Sequence, residues 1–218
     1  MCSGSRTTVP VTDNDTVARL GFVAILPRGT AFNSIHEASV SAATTKLLAS
    51  APIDVVVRDI DMDDCGGVRI AARLKSIQPT TKLLVVSNLS EAVFGERAIR
   101  AGADGYLARS NACEQLSFAI DPMPQNGVFL SEVLQNQLVS GYRVPAPPKE
   151  GQDALADREL EVFISIRRGK PSKEIAHALG RSQRTIWAHR ASIKHKLRLC
   201  TSAAVAGRTR VYEGPEKP

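Results

Sequence analysis

The 218-residue sequence lacks several features that would place it in a specialised class of protein. No apolar run approaches the roughly 18 residues that cross a bilayer, and the polar N-terminus has no apolar segment typical of a signal peptide. The cysteines are scattered and form no Cys-x-x-Cys pair, which disfavours a metal site or a disulfide scaffold. They are Cys2, Cys65, Cys113 and Cys200. With 43% hydrophobic residues the chain can still bury a core. We therefore expect a soluble, cytoplasmic protein with no membrane partner.

The sequence also lacks the residue combinations that carry catalysis. It contains no recognisable nucleophile–base pair, no glycine loop that holds phosphates and no metal-binding constellation. We therefore expect a protein that is not an enzyme and that has no resident cofactor or metal.

Acidic residues are missing from one long segment near the C-terminus. No Asp or Glu lies between Ile175 and Tyr212. The formal net charge of +6 divides into −1 for residues 1–146 and +7 for residues 147–218. On a segment patterned to fold, this asymmetry favours binding to a polyanion such as double-stranded DNA.

Three prolines between residues 142 and 153, at Pro145, Pro147 and Pro148, mark a boundary between two domains. Before it, apolar runs alternate with helical patterns, which predicts a parallel sheet covered on both faces. The predicted strands are Leu20–Leu26, Ser34–Ala38, Asp54–Val57, Lys82–Val86 and Gly105–Ala108, and the predicted helices include Gly67–Ile77 and Glu91–Ala101. Only residues 27–33 separate the first two of these strands, so the first helix is predicted to be very short or absent.

After the boundary every patterned stretch is helical. A first helix is predicted over Asp157–Arg168, and a second begins with Ser172 as its N-cap and ends at Gly180. A third helix runs from residue 182 or 183 to about Leu197. The spacing of a small residue, a turn glycine and an aliphatic residue, at Ala176, Gly180 and Ile186, is typical of a helix-turn-helix.

The third helix divides into a stripe that faces the core and a neighbouring exposed stripe. We expect DNA contacts from its exposed and N-terminal residues and from one lysine of the preceding helix. These candidates are Lys173, Ser182, Gln183, Arg184, Thr185, Trp187, Ala188, His189, Arg190, Ala191, Lys194, Lys196 and Arg198. For three of them another role stays open: packing or capping for His189, a protein contact for Trp187, and simple solvation for Lys196.

This C-terminal segment resembles the LuxR-type four-helix DNA-binding domain of NarL/FixJ-type response regulators. The resemblance is carried by R-E-x-E-V-F at Arg158–Phe163, K-E-I-A at Lys173–Ala176, T-I-x-x-H at Thr185–His189 and I-x-x-K-L at Ile193–Leu197. It implies double-stranded DNA as partner, a fourth helix over Ser202–Tyr212 and a homodimer formed through that helix.

The first part is similar to the receiver domain of the same regulators, on the segments Pro52–Gly67, Lys82–Asn88 and Ala98–Ser110. The resemblance implies that Asp59 occupies the phosphoacceptor position and Ser87 the hydroxyl position. Arg109 stands where the family has lysine, and the two side chains are not equivalent.

The receiver is expected to be degenerate, a pseudo-receiver. The predicted first strand ends Ile25-Leu26-Pro27-Arg28, without the acidic pair that holds Mg²⁺ in the family. Asp59 is then expected to be a structural remnant paired with Arg109 or Arg28. In the alternative, Mg²⁺ is bound with help from the acidic residues of 61–64.

The predicted fold is an α/β receiver-like (flavodoxin-like) parallel-sheet domain, with its first helix short or missing, followed by an all-α LuxR-type helix-turn-helix domain. The predicted limits are a tail over 1–17, the receiver over 18–122, a linker over 123–153 with a helix at about 131–141, the DNA-binding domain over 154–212 and a tail over 213–218.

The predicted function is that of a dimeric transcription regulator that acts without conventional phosphorylation. One alternative is a two-component regulator phosphorylated at Asp59 by a sensor kinase. Another is an interaction module that sequesters a different regulator protein.

Overall fold

The computed structural model describes residues 7–26, 32–62, 70–121, 123, 127–143 and 154–197. The chain forms two compact units, Met1–Pro145 and Ala146–Pro218, and each is considered by itself. Within the described residues, no helix has the length and apolar character needed to cross a membrane.

The first unit is built on a parallel five-stranded sheet with the order β2-β1-β3-β4-β5. This is the flavodoxin-like order, in which the strand sequence reverses beside β1. The strands are β1 (Thr7–Thr12), β2 (Phe32–Ala38), β3 (Val55–Arg58), β4 (Lys82–Ser87) and β5 (Gly105–Ala108). The prediction of a receiver-like parallel sheet is confirmed.

The helices α1 to α6 belong to this unit: α1 (Thr16–Ile25), α2 (Ser41–Ser50), α3 (Ile70–Ile77), α4 (Glu91–Arg100), α5 (Ala112–Ile120) and α6 (Glu132–Arg143). One face of the sheet is covered by Phe22 of α1 and Leu116 of α5, which pack against inner-strand residues such as Val11 and Val57. Alternate strand residues such as Val85 are also buried, so both faces of the sheet are covered.

The prediction for the N-terminal end of this unit was wrong. The first strand is Thr7–Thr12, inside the predicted tail, and the predicted strand Leu20–Leu26 belongs to the helix α1. A full-length first helix is therefore present and the domain has not lost it. The Asp15 side chain begins this helix by accepting hydrogen bonds from the backbone N–H groups of Val17 and Ala18.

The helix α6, predicted within a linker, packs on the first unit. Leu134 is fully buried. It packs closely on Gly95 of α4, where an added Cβ would lie 3.0 Å from the Leu134 Cδ1 atom. Ser131 donates a 2.5 Å hydrogen bond to the Glu91 carboxylate, and Gln137 donates one to the Ala92 carbonyl. The predicted helix is therefore present, but these contacts make it part of the first unit and not of a linker.

The described part of the second unit is helical: α7 (Asp157–Arg167), α8 (Ser172–Ala178) and α9 (Gln183–Lys196). Gly169 and Gly180 follow α7 and α8 with φ of 76° and 60°, a left-handed backbone that favours glycine. The N-cap of α8 is Pro171 and not Ser172, which is already helical. The fully buried Ile186 and Ile193 form the core-facing side of α9.

Candidate functional site

Four polar side chains meet at the carboxyl end of the sheet. Asp13 follows β1, Asp59 follows β3, Ser87 ends β4 and Arg109 follows β5. Ligand sites of open α/β sheets lie at this end, beside the point where the strand order reverses. The structure thus brings together the three receiver positions recognised in the sequence, and it adds Asp13.

Every carboxylate oxygen of Asp59 accepts a short hydrogen bond. Oδ1 accepts from Ser87 Oγ at 2.6 Å and from the backbone N–H of Asp61 at 2.8 Å. Oδ2 accepts from Arg109 Nη2 at 2.6 Å. The same Nη2 lies 2.6 Å from Oδ2 of Asp13, so one guanidinium nitrogen bridges two carboxylates.

The remaining contacts hold this bridge in place. Asp13 Oδ1 accepts from the backbone N–H of Asp15 at 2.8 Å. The Asp15 carboxylate is 53% exposed and lies 3.6 Å from Arg109 Nη1. The Phe22 ring lies beneath the guanidinium, 5.8 Å from Cζ to the ring centroid, within the range of a cation–π contact.

Burial raises the pKa of both Asp13 and Asp59 above the ordinary aspartate value. For Asp59 the hydrogen bonds from Ser87 and Asp61 and the charge of Arg109 act in the opposite direction but do not cancel the effect of burial. For Asp13 the hydrogen bond from Asp15 and the charge of Arg109 do likewise. Two carboxylates that are costly to charge thus share one cation.

The arrangement does not fit a bound Mg²⁺ ion. Carboxylates are the ligands that Mg²⁺ prefers, but the Oδ2 atoms of Asp13 and Asp59 are both bonded to the Arg109 cation. Asp15 points largely to solvent. No group of three or more His, Cys, Asp or Glu side chains in the described ranges is placed to hold a metal ion.

Sequence reasoning missed the acidic residues of this pocket. The prediction that no carboxylate follows the first strand was wrong, because the strand was assigned to Leu20–Leu26 and Asp13 and Asp15 were taken as tail. The signal was present in T-D-N-D-T, where an acid ends a β-branched run and an N-cap follows. The other proposed partners, Arg28, Asp63 and Asp64, lie outside the described residues.

The helix α9 presents the second candidate site. Its first turn is capped by Ser182, whose Oγ accepts from the Thr185 backbone N–H at 3.1 Å and lies 2.9 Å from the Thr185 hydroxyl. These two hydroxyls therefore stabilise the helix start. Trp187 is 58% exposed. The other exposed candidates are Lys173, Gln183, Arg184, Ala188 and Ala191, and the half-buried ones are His189, Arg190 and Lys194.

Lys196 is exposed but is held by the body of its own unit. Its Nζ donates to Glu159 Oε2 on α7 at 2.6 Å, and Ser192 donates to Oε1 at 2.6 Å. Burial alone would raise the pKa of Glu159, but these bonds and that from the Ala156 N–H lower it to about 2. Arg198 and the predicted fourth helix lie outside the described residues.

Two families of known sequences match the chain. Residues 9–121 match the response regulator receiver domain, and residues 153–206 match the bacterial regulatory proteins of the luxR family. The chain is 31% identical to the fimbriae Z protein of Salmonella typhimurium, over 88% of this chain and 90% of that protein. It is 27% identical to the transcriptional regulatory protein UhpA of Escherichia coli, over 95% and 98% of the two chains.

Solved structures share the fold. The RcsB response regulator of Salmonella typhimurium is similar with a TM-score of 0.77 and 20% identity, over 94% of this chain and 98% of that one. RcsB of Salmonella enterica serovar Typhimurium bound to promoter rprA is similar with a TM-score of 0.73 and 21% identity, over 93% and 98%.

Proposed function

Because the chain belongs to the response regulators that join a receiver domain to a luxR-type DNA-binding domain, we propose that it acts on DNA as a homodimer and that phosphorylation of Asp59 is not its switch. The family makes it a DNA-binding regulator of transcription.

DNA binding through α9 is supported by charge and exposure together. No acidic residue lies between Ile175 and Tyr212, and Arg184 and Trp187 are exposed on the first turns of α9. The N-terminal part of a recognition helix is the part that contacts base edges. A two-fold dimer predicts two half-sites about one turn of DNA apart.

The Arg109 bridge is the observation that carries the proposed regulation. A phosphoacceptor needs an accessible carboxylate oxygen and a divalent cation beside it. In this pocket Asp59 is 5% exposed and its oxygens are occupied by Ser87, Asp61 and Arg109. The Arg109 guanidinium supplies the positive charge between Asp13 and Asp59 through its Nη2 atom, and the side chain of lysine differs from it in shape and reach.

Intact mass spectrometry tests this regulation directly. After incubation with acetyl phosphate and Mg²⁺, we expect no phosphoryl adduct on the wild-type protein. In the variant Arg109→Lys, which removes the bridging guanidinium, an adduct is expected to form. The matched control is Arg100→Lys at an exposed site of α4, which should behave as wild type. An adduct on wild-type Asp59 would overturn the proposal.

The homodimer has a separate test. Sedimentation equilibrium should give about twice the chain mass of 23.4 kDa, and the dimer should persist when Asp59 is replaced by Asn. A monomer that dimerises only after treatment with acetyl phosphate would contradict both the constitutive dimer and the phosphate-independent mode.

Conventional phosphorylation is the second candidate, and one observation favours it. Asp13 lies beside Asp59 through their shared contact with Arg109, so two acidic side chains of the family pattern are in place. In that mode Arg109 has to withdraw from both carboxylates before a metal ion can bind. The mass measurement above distinguishes the two modes.

A further inference from the structure

The exposed side of α9 is unusual for its apolar character. Trp187 is the one large hydrophobic side chain that is exposed within residues 154–197, and 58% of it faces solvent. Large aromatic side chains that are exposed to solvent on a small domain often belong to a binding surface. Trp187 is the fifth residue of α9, in the half of the helix that a recognition helix inserts into the groove.

Two small residues flank this side chain on the same face. Ala191 lies one turn beyond Trp187, at i+4. Ala188 is next to Trp187 in sequence and lies one turn beyond Arg184. Both alanines are exposed. Short side chains here let the helix axis approach a surface closely, with the indole ring as the only long group at its centre. The middle of this face therefore offers apolar atoms and no hydrogen-bond acceptor.

The charge around this face indicates its occupant. No Asp or Glu is present from Ile175 to the end of the described residues, while Arg184 and Lys194 lie at the two ends of the face. A positive rim around an apolar centre is complementary to a major groove whose base edges carry a methyl group. The C5-methyl of thymine is the apolar group that base pairs present there.

We propose that Trp187, together with Ala188 and Ala191, selects DNA half-sites by contact with thymine C5-methyl groups. This inference rests on the proposed DNA-binding function and deepens it. Arg184 and Lys194 then contribute phosphate or base-edge hydrogen bonds at either end, and sequence selection at the centre comes from methyl contacts.

The experiment compares thymine with deoxyuridine, which has the same hydrogen-bonding groups but no methyl. The full-length protein first selects a site from a randomised double-stranded DNA library. Each thymine of that site is then replaced by deoxyuridine, and affinity is measured by fluorescence anisotropy. We expect one or two positions in each half-site to lose affinity by about fourfold, the value of one buried methyl group.

The variants Trp187→Ala and Lys194→Ala separate the two kinds of contact. Trp187→Ala should lose the preference for thymine at the positions that the indole contacts and keep it at any position contacted by Ala188 or Ala191. Lys194→Ala should weaken binding to thymine and deoxyuridine sites by the same factor and keep the preference for thymine. Trp187→Phe, which keeps an apolar ring, should retain part of the preference for thymine over deoxyuridine. Since Trp187 is exposed, its variants should unfold at the wild-type temperature, which circular dichroism checks.

The outcomes separate this inference from the function on which it rests. If a site is selected but deoxyuridine binds as well as thymine, or if Trp187→Ala keeps the full penalty at every position, the methyl contact of Trp187 is wrong and DNA binding stands. If Trp187→Ala binds all DNA as wild type does, Trp187 makes no DNA contact and the inference is overturned. If the library yields no bound DNA, both fail.

Discussion

At the scale of single residues, Arg109 is the counter-charge of the pocket. Its side chain is 16% exposed and bridges two carboxylates whose pKa values are raised by burial. Removal of one member of a buried ion pair leaves an uncompensated charge, which costs about 3–5 kcal/mol. Here two carboxylates face each other once the cation is removed.

Arg109→Met should therefore lower the free energy of unfolding by about 3 kcal/mol at pH 7, measured by urea denaturation. Because the folded-state pKa of Asp13 or Asp59 then lies still higher above its unfolded value, the variant loses stability as pH rises, and its deficit should be smaller at pH 5 than at pH 7. Arg100→Met, at a side chain 73% exposed, is the control and should change stability by less than about 0.5 kcal/mol. A deficit independent of pH would argue against the bridge.

Glu159 affects the pH dependence of stability in the opposite direction to Asp13 and Asp59, because its pKa is lowered. Its pKa is lowered to about 2 from an ordinary value of 4.5, so its contribution to stability is complete above the unfolded value and is lost as pH falls from about 4.5 toward 2. Glu159→Gln should be less stable than wild type by about 2 kcal/mol at pH 7, and the two proteins should converge at acid pH. Glu174→Gln, at an exposed site of α8, should show no such convergence.

At the scale of elements, the N-terminal error has a physical cause. The run LGFVAIL suggests a strand because its exposed positions are also apolar: Leu20 of α1 is 52% exposed. The true strand contains Pro10, which has no N–H to donate. It is tolerated in an inner strand because the residues of β1 that are in register with β3 are Val11 and Thr12, which follow it.

Other elements could be predicted from the sequence because their patterns are unambiguous. The run GYLA is the strand β5 as predicted, and α9 begins at Gln183 within the predicted range. The pocket could be predicted only in part, since Asp59, Ser87 and Arg109 each follow or end a recognised strand. Asp13 could not be predicted as a site residue, because the strand before it contains a proline and was not recognised.

The helix α6 offers a test of its assignment to the first unit. Leu134 is fully buried, so Leu134→Ala should lower the free energy of unfolding by about 3 kcal/mol. It should also speed hydrogen exchange throughout Glu132–Arg143. The neighbouring Val133 is 53% exposed, and Val133→Ala should have little effect on either measurement. Equal effects of the two substitutions would indicate that the helix does not dock as described.

At the scale of the whole molecule, charge is divided between the two parts of the chain, with −1 on residues 1–146 and +7 on residues 147–218. DNA affinity should therefore depend on lysines and arginines of the second part. This division could be read from the sequence alone, because net charge needs no knowledge of the fold.

The salt dependence of DNA affinity tests whether the charges of the second part control binding. Lys194→Ala should reduce the slope of log affinity against log salt by about 1, the effect of one lost phosphate contact. Lys46→Ala removes an exposed positive charge of equal size from the first unit and should leave the slope unchanged. A slope altered equally by both would show that net charge, and not a local contact, controls binding.

The contact between Arg109 and Asp13 joins residues 96 positions apart in the chain. During synthesis both carboxyl groups of the pocket leave the ribosome long before the guanidinium that neutralises them. We therefore expect the end of the sheet to stay charged and hydrated until β5 has been made and has joined β4. Chains that stop before Arg109 keep an unbalanced acidic pocket, so the first unit reaches its stable form only when it is nearly complete.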